Sequence, residues 1–216
     1  MLKGLSEPKW LFFSASVFLV SVPVFFQAPL VRAFPVISLI LTALWFGLSW
    51  ILRIRTKTQS IGELLDGFAW TWMAGSIYWG WFRAEPMLHL PLEAIGLPIA
   101  LIGIAYQRNK VGAWFYLGSL FGTGMTDLYF YQVGLIPYWR KLMQIDLSFA
   151  PLILRDAVSH MSTTFGFGWA GVILGILFLT GLSALRSSEI HWRVFSGAVL
   201  STVLVDGLFW IAATSA

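Results

Sequence analysis

Three long stretches of the chain, residues 10–26, 34–52 and 165–185, contain no charged residue at all. Each is close to the roughly 20 apolar residues that an α-helix needs to cross the hydrocarbon core of a bilayer. A soluble domain has no use for several such stretches, because its helices need only one apolar face. Composition extends the point to the whole chain. Of its 216 residues, 58% are hydrophobic and 11% charged, against about 25% charged in soluble domains.

Read for further runs of this kind, the sequence predicts an all-α protein: a polytopic transmembrane helix bundle of about seven spans, forming one integral membrane domain over residues 1–216. The expected spans are residues 10–26, 34–52, 61–81, 90–106, 111–136, 165–185 and 195–213. Their connections are short, so sequence neighbours are expected to lie antiparallel.

Basic residues orient that bundle. With the N-terminus cytoplasmic, Lys3, Lys9, Arg53, Arg55, Lys57, Arg108, Lys110, Arg186 and Arg193 fall on one side. The other side receives Arg32, Arg83, Arg140, Lys141 and Arg155. Positive residues favour the cytoplasmic side, which selects N-in. Residues 137–164 resist assignment to a span. Pro137 and Pro151 punctuate them and charges are dense, so an interfacial or re-entrant helical segment is expected around 140–162.

Cysteine is absent, which excludes disulfides, thiolate metal sites and cysteine nucleophiles. The scattered cations offer no nucleic-acid-binding face. No HExxH-like spacing supports a metal site, no GxSxG elbow a serine nucleophile, and three histidines are too few for a histidine-rich di-iron centre. No cofactor is specified by these patterns. Membrane lipids are the expected surroundings, and the missing catalytic motifs tilt the reading away from an enzyme.

Ionisable groups at membrane depth are expensive and therefore candidates for function. Asp127 and Asp206 fall inside the fifth and seventh expected spans. Two readings stand for them: a hydrogen bond to a neighbouring helix, or the handling of a proton, cation or substrate. Glu63 and Asp66 open the third span one helical turn apart, where the dipole of their own helix would favour negative charge. The stretch "WGWFRAEPMLHLPLEAIGLP", residues 79–98, reads first as a polar loop and helix start, with Pro91 and Glu93 in the first turn. Its alternative is a site on the non-cytoplasmic face that gathers His89, Glu93, Arg155, Asp156 and His160. Asp156 and His160 stand four apart, close enough on a helix for the carboxylate to orient the imidazole.

Aromatic and small residues carry packing information. Trp10, Trp50, Trp79, Trp81, Trp139 and Trp192 lie near expected span ends, as an interfacial belt requires. Trp70, Trp72, Tyr78, Tyr129 and Tyr131 are deeper and could line a flat apolar cavity. Gly118, Gly122 and Gly124, and Gly171 with Gly175, make small-residue faces expected to pack inside the bundle.

The segments "SEPKWLFFSASVFLVSVPVFFQAPLVR" at 6–32 and "GLIPYW" at 134–139 resemble an uncharacterised family of multi-span integral membrane proteins from cyanobacteria, a domain of unknown function. The resemblance implies a photosynthetic host and a thylakoid or plasma membrane, and it transfers no catalytic residue. Three roles follow as expectations. First stands an accessory or assembly protein of a larger membrane complex, a photosynthetic one in the host that the resemblance implies. Second is a small transporter or permease using Asp127 and Asp206. Third is a membrane-embedded enzyme acting on a lipid, quinone or isoprenoid through the His89–His160 group.

Overall fold

A computed structural model describes residues 9–215; Lys3 and the start of the 6–32 segment lie outside them. Every regular element among the described residues is helical. In chain order the helices are α1 (Lys9–Ala33), α2 (Pro35–Ile54), α3 (Gln59–Ile77), α4 (His89–Glu93), α5 (Leu97–Ala105), α6 (Lys110–Val133), α7 (Ile136–Gln144), α8 (Ala150–Met161), α9 (Thr164–Ala184) and α10 (Ile190–Ser215). A π-helical turn, Tyr78–Phe82, prolongs α3. The 3-10 turns Pro86–Leu88 and Ala94–Gly96 flank α4, and a third, Leu147–Phe149, leads into α8.

Five described segments are long and apolar enough to cross a membrane: Lys9–Ala33, Pro35–Ile54, Pro86–Ala105, Thr164–Ala184 and Ile190–Ser215. The third and fifth expected spans are also helices, as α3 and α6, but they are less apolar than those five. The reason is their position. They pack on each other and on α2 and α10, and they bury Leu64, Phe68, Trp72, Val111 and Phe115 in the main core cluster, with Phe12 and Val194. A helix surrounded by protein need not be apolar on every face. By contrast α2 turns Ile40, Leu44, Trp50 and Ile51 outward, and its buried face consists of Ser38, Thr42 and Ser49.

Close backbone approach sets the α3–α6 crossing. A Cβ on Gly67 would collide with the Gly112 carbonyl, and one on Gly112 with the Glu63 carbonyl. Only glycine permits this contact. Along the α6–α10 crossing, Gly118 faces Phe195 and Ala198, and Gly122 faces Thr202, as the sequence leads one to expect. Gly168, Gly171 and Gly175 on α9 differ: nothing lies within 4 Å of the position their Cβ would take. That small-residue face points out of the bundle, because α9 packs through Ile173, Leu177, Gly181 and Ala184 instead.

At one end of the bundle, polar stitches replace apolar packing. Asp66 accepts from Asn109 Nδ2 (2.7 Å) and Arg53 Nη1 (3.3 Å). Glu63 accepts from the Val111 backbone N–H (3.1 Å) and Gln59 (3.2 Å). The dipole expected to hold this pair was that of α3. Helix α3 starts at Gln59 and has no acid in its first turn. Glu63 therefore satisfies a free N–H at the start of α6, and Asp66 ties α3 to α2 and to the turn before α6.

Candidate functional site

The stretch at 79–98 folds into a broken helix wrapped around a buried side chain. Helix α3 widens into the π turn at Tyr78–Phe82, a distortion that inserts an extra residue per turn and recurs at functional sites. The chain then reverses through Pro86–Leu88, with Pro86 at the first position. It runs only five residues as α4 before tightening again at Ala94–Gly96. Breaking a helix frees backbone groups, and Tyr116 of α6 takes up two of them. Its hydroxyl donates to the Glu93 carbonyl and accepts from the Gly96 N–H (3.0 Å). Tyr131 of the same helix donates to the Pro86 carbonyl (3.4 Å).

This break turns His89 inward. Its Nδ1 lies 2.8 Å from Asp127 Oδ1, and its Nε2 lies 3.9 Å from Glu93 Oε1. The two ring nitrogens thus face two carboxylates. Side-chain exposure is 12% for His89, 13% for Glu93 and 3% for Asp127. The second oxygen of Asp127 is buried without a hydrogen-bond partner. Around the imidazole stand the rings of Tyr78 (4.4 Å between centroids), Trp139 (5.4 Å) and Trp79 (5.9 Å). These three rings pack around the imidazole beside its two carboxylates. One residue before Asp127, Thr126 Oγ1 donates to Asp206 Oδ2 of α10 (2.8 Å).

Trp79 and Trp139 stack in near-parallel fashion, 5.8 Å apart with 11° between planes. Trp139 Nε1–H donates to the Arg83 carbonyl (3.0 Å), and Arg140 Nη2 donates to Glu85 Oε1 (2.6 Å). Arg140, with the neighbouring positive charge it supplies, holds the Glu85 carboxyl below its ordinary value. These contacts fasten α7 across the end of the bundle where His89 sits.

Of the five residues proposed for a site on that face, the fold brings His89 and Glu93 together. Arg155, Asp156 and His160 are exposed on α8, and His160 packs on Tyr138, 5.7 Å between rings. Asp127, assigned to the middle of a span, is the missing third member. The deep aromatic residues also divide among separate surroundings: Trp72 packs with Trp45 and Phe68, Trp70 with Phe46, and Tyr78 with His89. Among the described residues, no group of three or more His, Cys, Asp or Glu is arranged to hold a metal ion.

The family described as "Protein of unknown function (DUF3120)" matches residues 16–214. None of the curated proteins and none of the solved structures matches the chain.

Proposed function

Since the chain belongs to the DUF3120 family of proteins of unknown function, we propose a function from its buried charges: a small integral membrane transporter that carries protons through Glu93, His89 and Asp127. The observation that carries this reading is the 2.8 Å contact between His89 Nδ1 and Asp127 Oδ1, made by residues 38 apart in sequence. Imidazole can take a proton on one nitrogen and release one from the other, which suits it to relay between two carboxylates. The broken helix that bears His89 and Glu93 supports the same reading. Transporters commonly build their sites from discontinuous helices, and irregular backbone at membrane depth is tolerated where it serves such a site.

Charge balance adds a physical argument. Glu93 and Asp127 flank one imidazole, and Asp206 lies near enough to Asp127 for their charges to interact. Full ionisation would leave net negative charge inside the bundle, at a cost of several kcal/mol per unpaired ion. Mobile protons neutralise it. The reading takes seven crossings with a cytoplasmic N-terminus. It also takes the host and the thylakoid or plasma membrane that the family resemblance implies.

The test is proton flux in vesicles loaded with a pH-sensitive dye, under an imposed pH gradient with the membrane potential clamped. Wild-type protein should collapse the gradient faster than empty vesicles do, and Asp127→Asn should return the rate to that of empty vesicles. A wild-type rate equal to that of empty vesicles would overturn the reading.

A second role, association with a larger membrane complex, is favoured by α9. Gly168, Gly171 and Gly175 leave a close-approach face open, and beside it Thr164, Phe165, Gly168, Trp169 and Val172 line a shallow groove of about 320 Å³. Migration on a native gel tests it: a gently solubilised protein that runs at its own 24.2 kDa plus detergent would remove this role.

A further inference from the structure

The contacts of α7 point to more than a connection between two spans. We propose that α7 is a lid over the His89 centre, hinged at Gly134 and latched by the Arg140–Glu85 pair, and that it must lift for the centre to exchange protons with the adjoining aqueous phase. The proposal rests on the proton-carrying reading of that centre.

Gly134 ends α6 with φ +75°, a left-handed conformation open to glycine at little cost. Pro137 sits in the first turn of α7, so the helix restarts immediately after this glycine. No residue of α7 is fully buried. On this side α7 is held through two side chains: Trp139, which packs on Tyr78, Trp79, His89 and Phe130 and donates to the Arg83 carbonyl, and Arg140, which pairs with Glu85. Both members of that pair have side chains 45% exposed. A segment anchored through one indole and one exposed ion pair opens at less cost than the packed helices beneath it. Beneath it the arrangement is the opposite. Tyr78 is 0% exposed, and its ring packs on both Trp79 and His89. The indole of Trp139 packs against His89 from α7, 5.4 Å between centroids. Lifting α7 would therefore uncover the imidazole while the α3–α6 packing stays in place.

The chain contains no cysteine, so introduced thiols react uniquely. In the double variant Glu85→Cys/Arg140→Cys, a reducible bis-methanethiosulfonate linker ties the lid to the turn beneath it. Proton flux should fall to the rate of empty vesicles on cross-linking and recover on reduction. The monofunctional reagent should leave flux unchanged. Cross-linked protein that conducts as fast as uncross-linked protein overturns the lid and leaves the proton-carrying reading intact.

A second measurement makes no use of flux and so stands even where the transporter reading fails. A thiol at position 78, in Tyr78→Cys, should react slowly with a small water-soluble thiosulfonate in detergent. Adding Arg140→Ala should accelerate the reaction by roughly five-fold, the scale of one exposed ion pair, and Arg53→Ala at the other end should not. Equal rates with and without Arg140 overturn the proposal.

Discussion

His89 Nδ1 and Asp127 Oδ1 meet at 2.8 Å across α4 and α6, in a region where both side chains are nearly sealed from the surroundings. A hydrogen bond to a charged group in such a place is stabilising chiefly because its absence is so costly. Asp127→Ala strands the imidazole beside Glu93 alone, and breaking a buried pair of this kind typically costs about 3–5 kcal/mol. Asp127→Asn keeps an acceptor for the Nδ1–H and should cost less, about 1 kcal/mol. Thermal unfolding in detergent should therefore rank wild type above Asn and Asn well above Ala. Equal midpoints for the two variants would mean that neither the side chain's volume nor an acceptor for His89 stabilises the fold.

At the opposite end, the polar stitches should separate by how many partners each carboxylate serves. Asp66→Ala releases three donors, Asn109, Arg53 and Ser49, whereas Glu63→Ala releases two, the Val111 backbone N–H and Gln59. Loss of a cap-like acceptor costs about 1 kcal/mol. Glu63→Gln preserves an acceptor for Val111 and should recover most of the loss. The check is the unfolding midpoint of the three variants, and a Gln variant as unstable as Ala would deny Glu63 its role at the start of α6.

Acid should release α7 later than an ordinary glutamate would titrate. The charged group paired with Glu85 is Arg140 on α7, and the Met87 backbone N–H also bonds its carboxylate. The Arg140 hydrogen bond lowers the Glu85 pKa. A carboxyl with a depressed folded pKa contributes stability above its unfolded pKa and loses it as pH falls through the folded value. Docking of α7 should hold through about pH 4.3, where a free glutamate is half protonated, and fail below it. An environment-sensitive fluorophore on Lys141→Cys reads the transition, and Arg140→Ala should move its midpoint upward. A midpoint indifferent to Arg140 would remove the latch.

How much of this was legible follows from the range over which each signal acts. Helices α2 and α9 lie where unbroken apolar runs put them, because lipid-facing helices declare themselves residue by residue. Asp127 stood out for the same local reason, a charge in an apolar stretch. Its pairing with His89 did not, because His89 read as a member of a different group, with Glu93, Arg155, Asp156 and His160. His89 is 38 positions away, in a stretch whose charges and prolines resemble a loop. The succession of π turn, 3-10 turn, short α4 and second 3-10 turn leaves no single periodicity to read. Trp79 and Trp139 misled in another way. Position near a span end fits an interfacial belt, yet both rings turn inward to His89. Asp156 and His160 show the limit of spacing alone: four apart on α8 and both exposed, they stay with that helix and do not join the centre.

The glycines supply the sharpest contrast between positions that look alike in sequence. Gly122 and Gly175 both sit in small-xxx-small patterns, but a Cβ on Gly122 would run into Thr202 while one on Gly175 would meet nothing within 4 Å. Gly122→Ala should thus force α6 and α10 apart, at about 1–3 kcal/mol for overpacking, and lower the unfolding midpoint. Gly175→Ala and Gly171→Ala should leave the midpoint unchanged or raise it slightly, since alanine favours helix over glycine by up to about 1 kcal/mol. If the open face of α9 serves a partner, bulkier Gly171→Ile and Gly175→Ile should also spare the isolated protein while dispersing any larger assembly on a native gel. Destabilisation of the isolated protein by these α9 variants would place that face against its own bundle after all, and the second functional reading would lose its support.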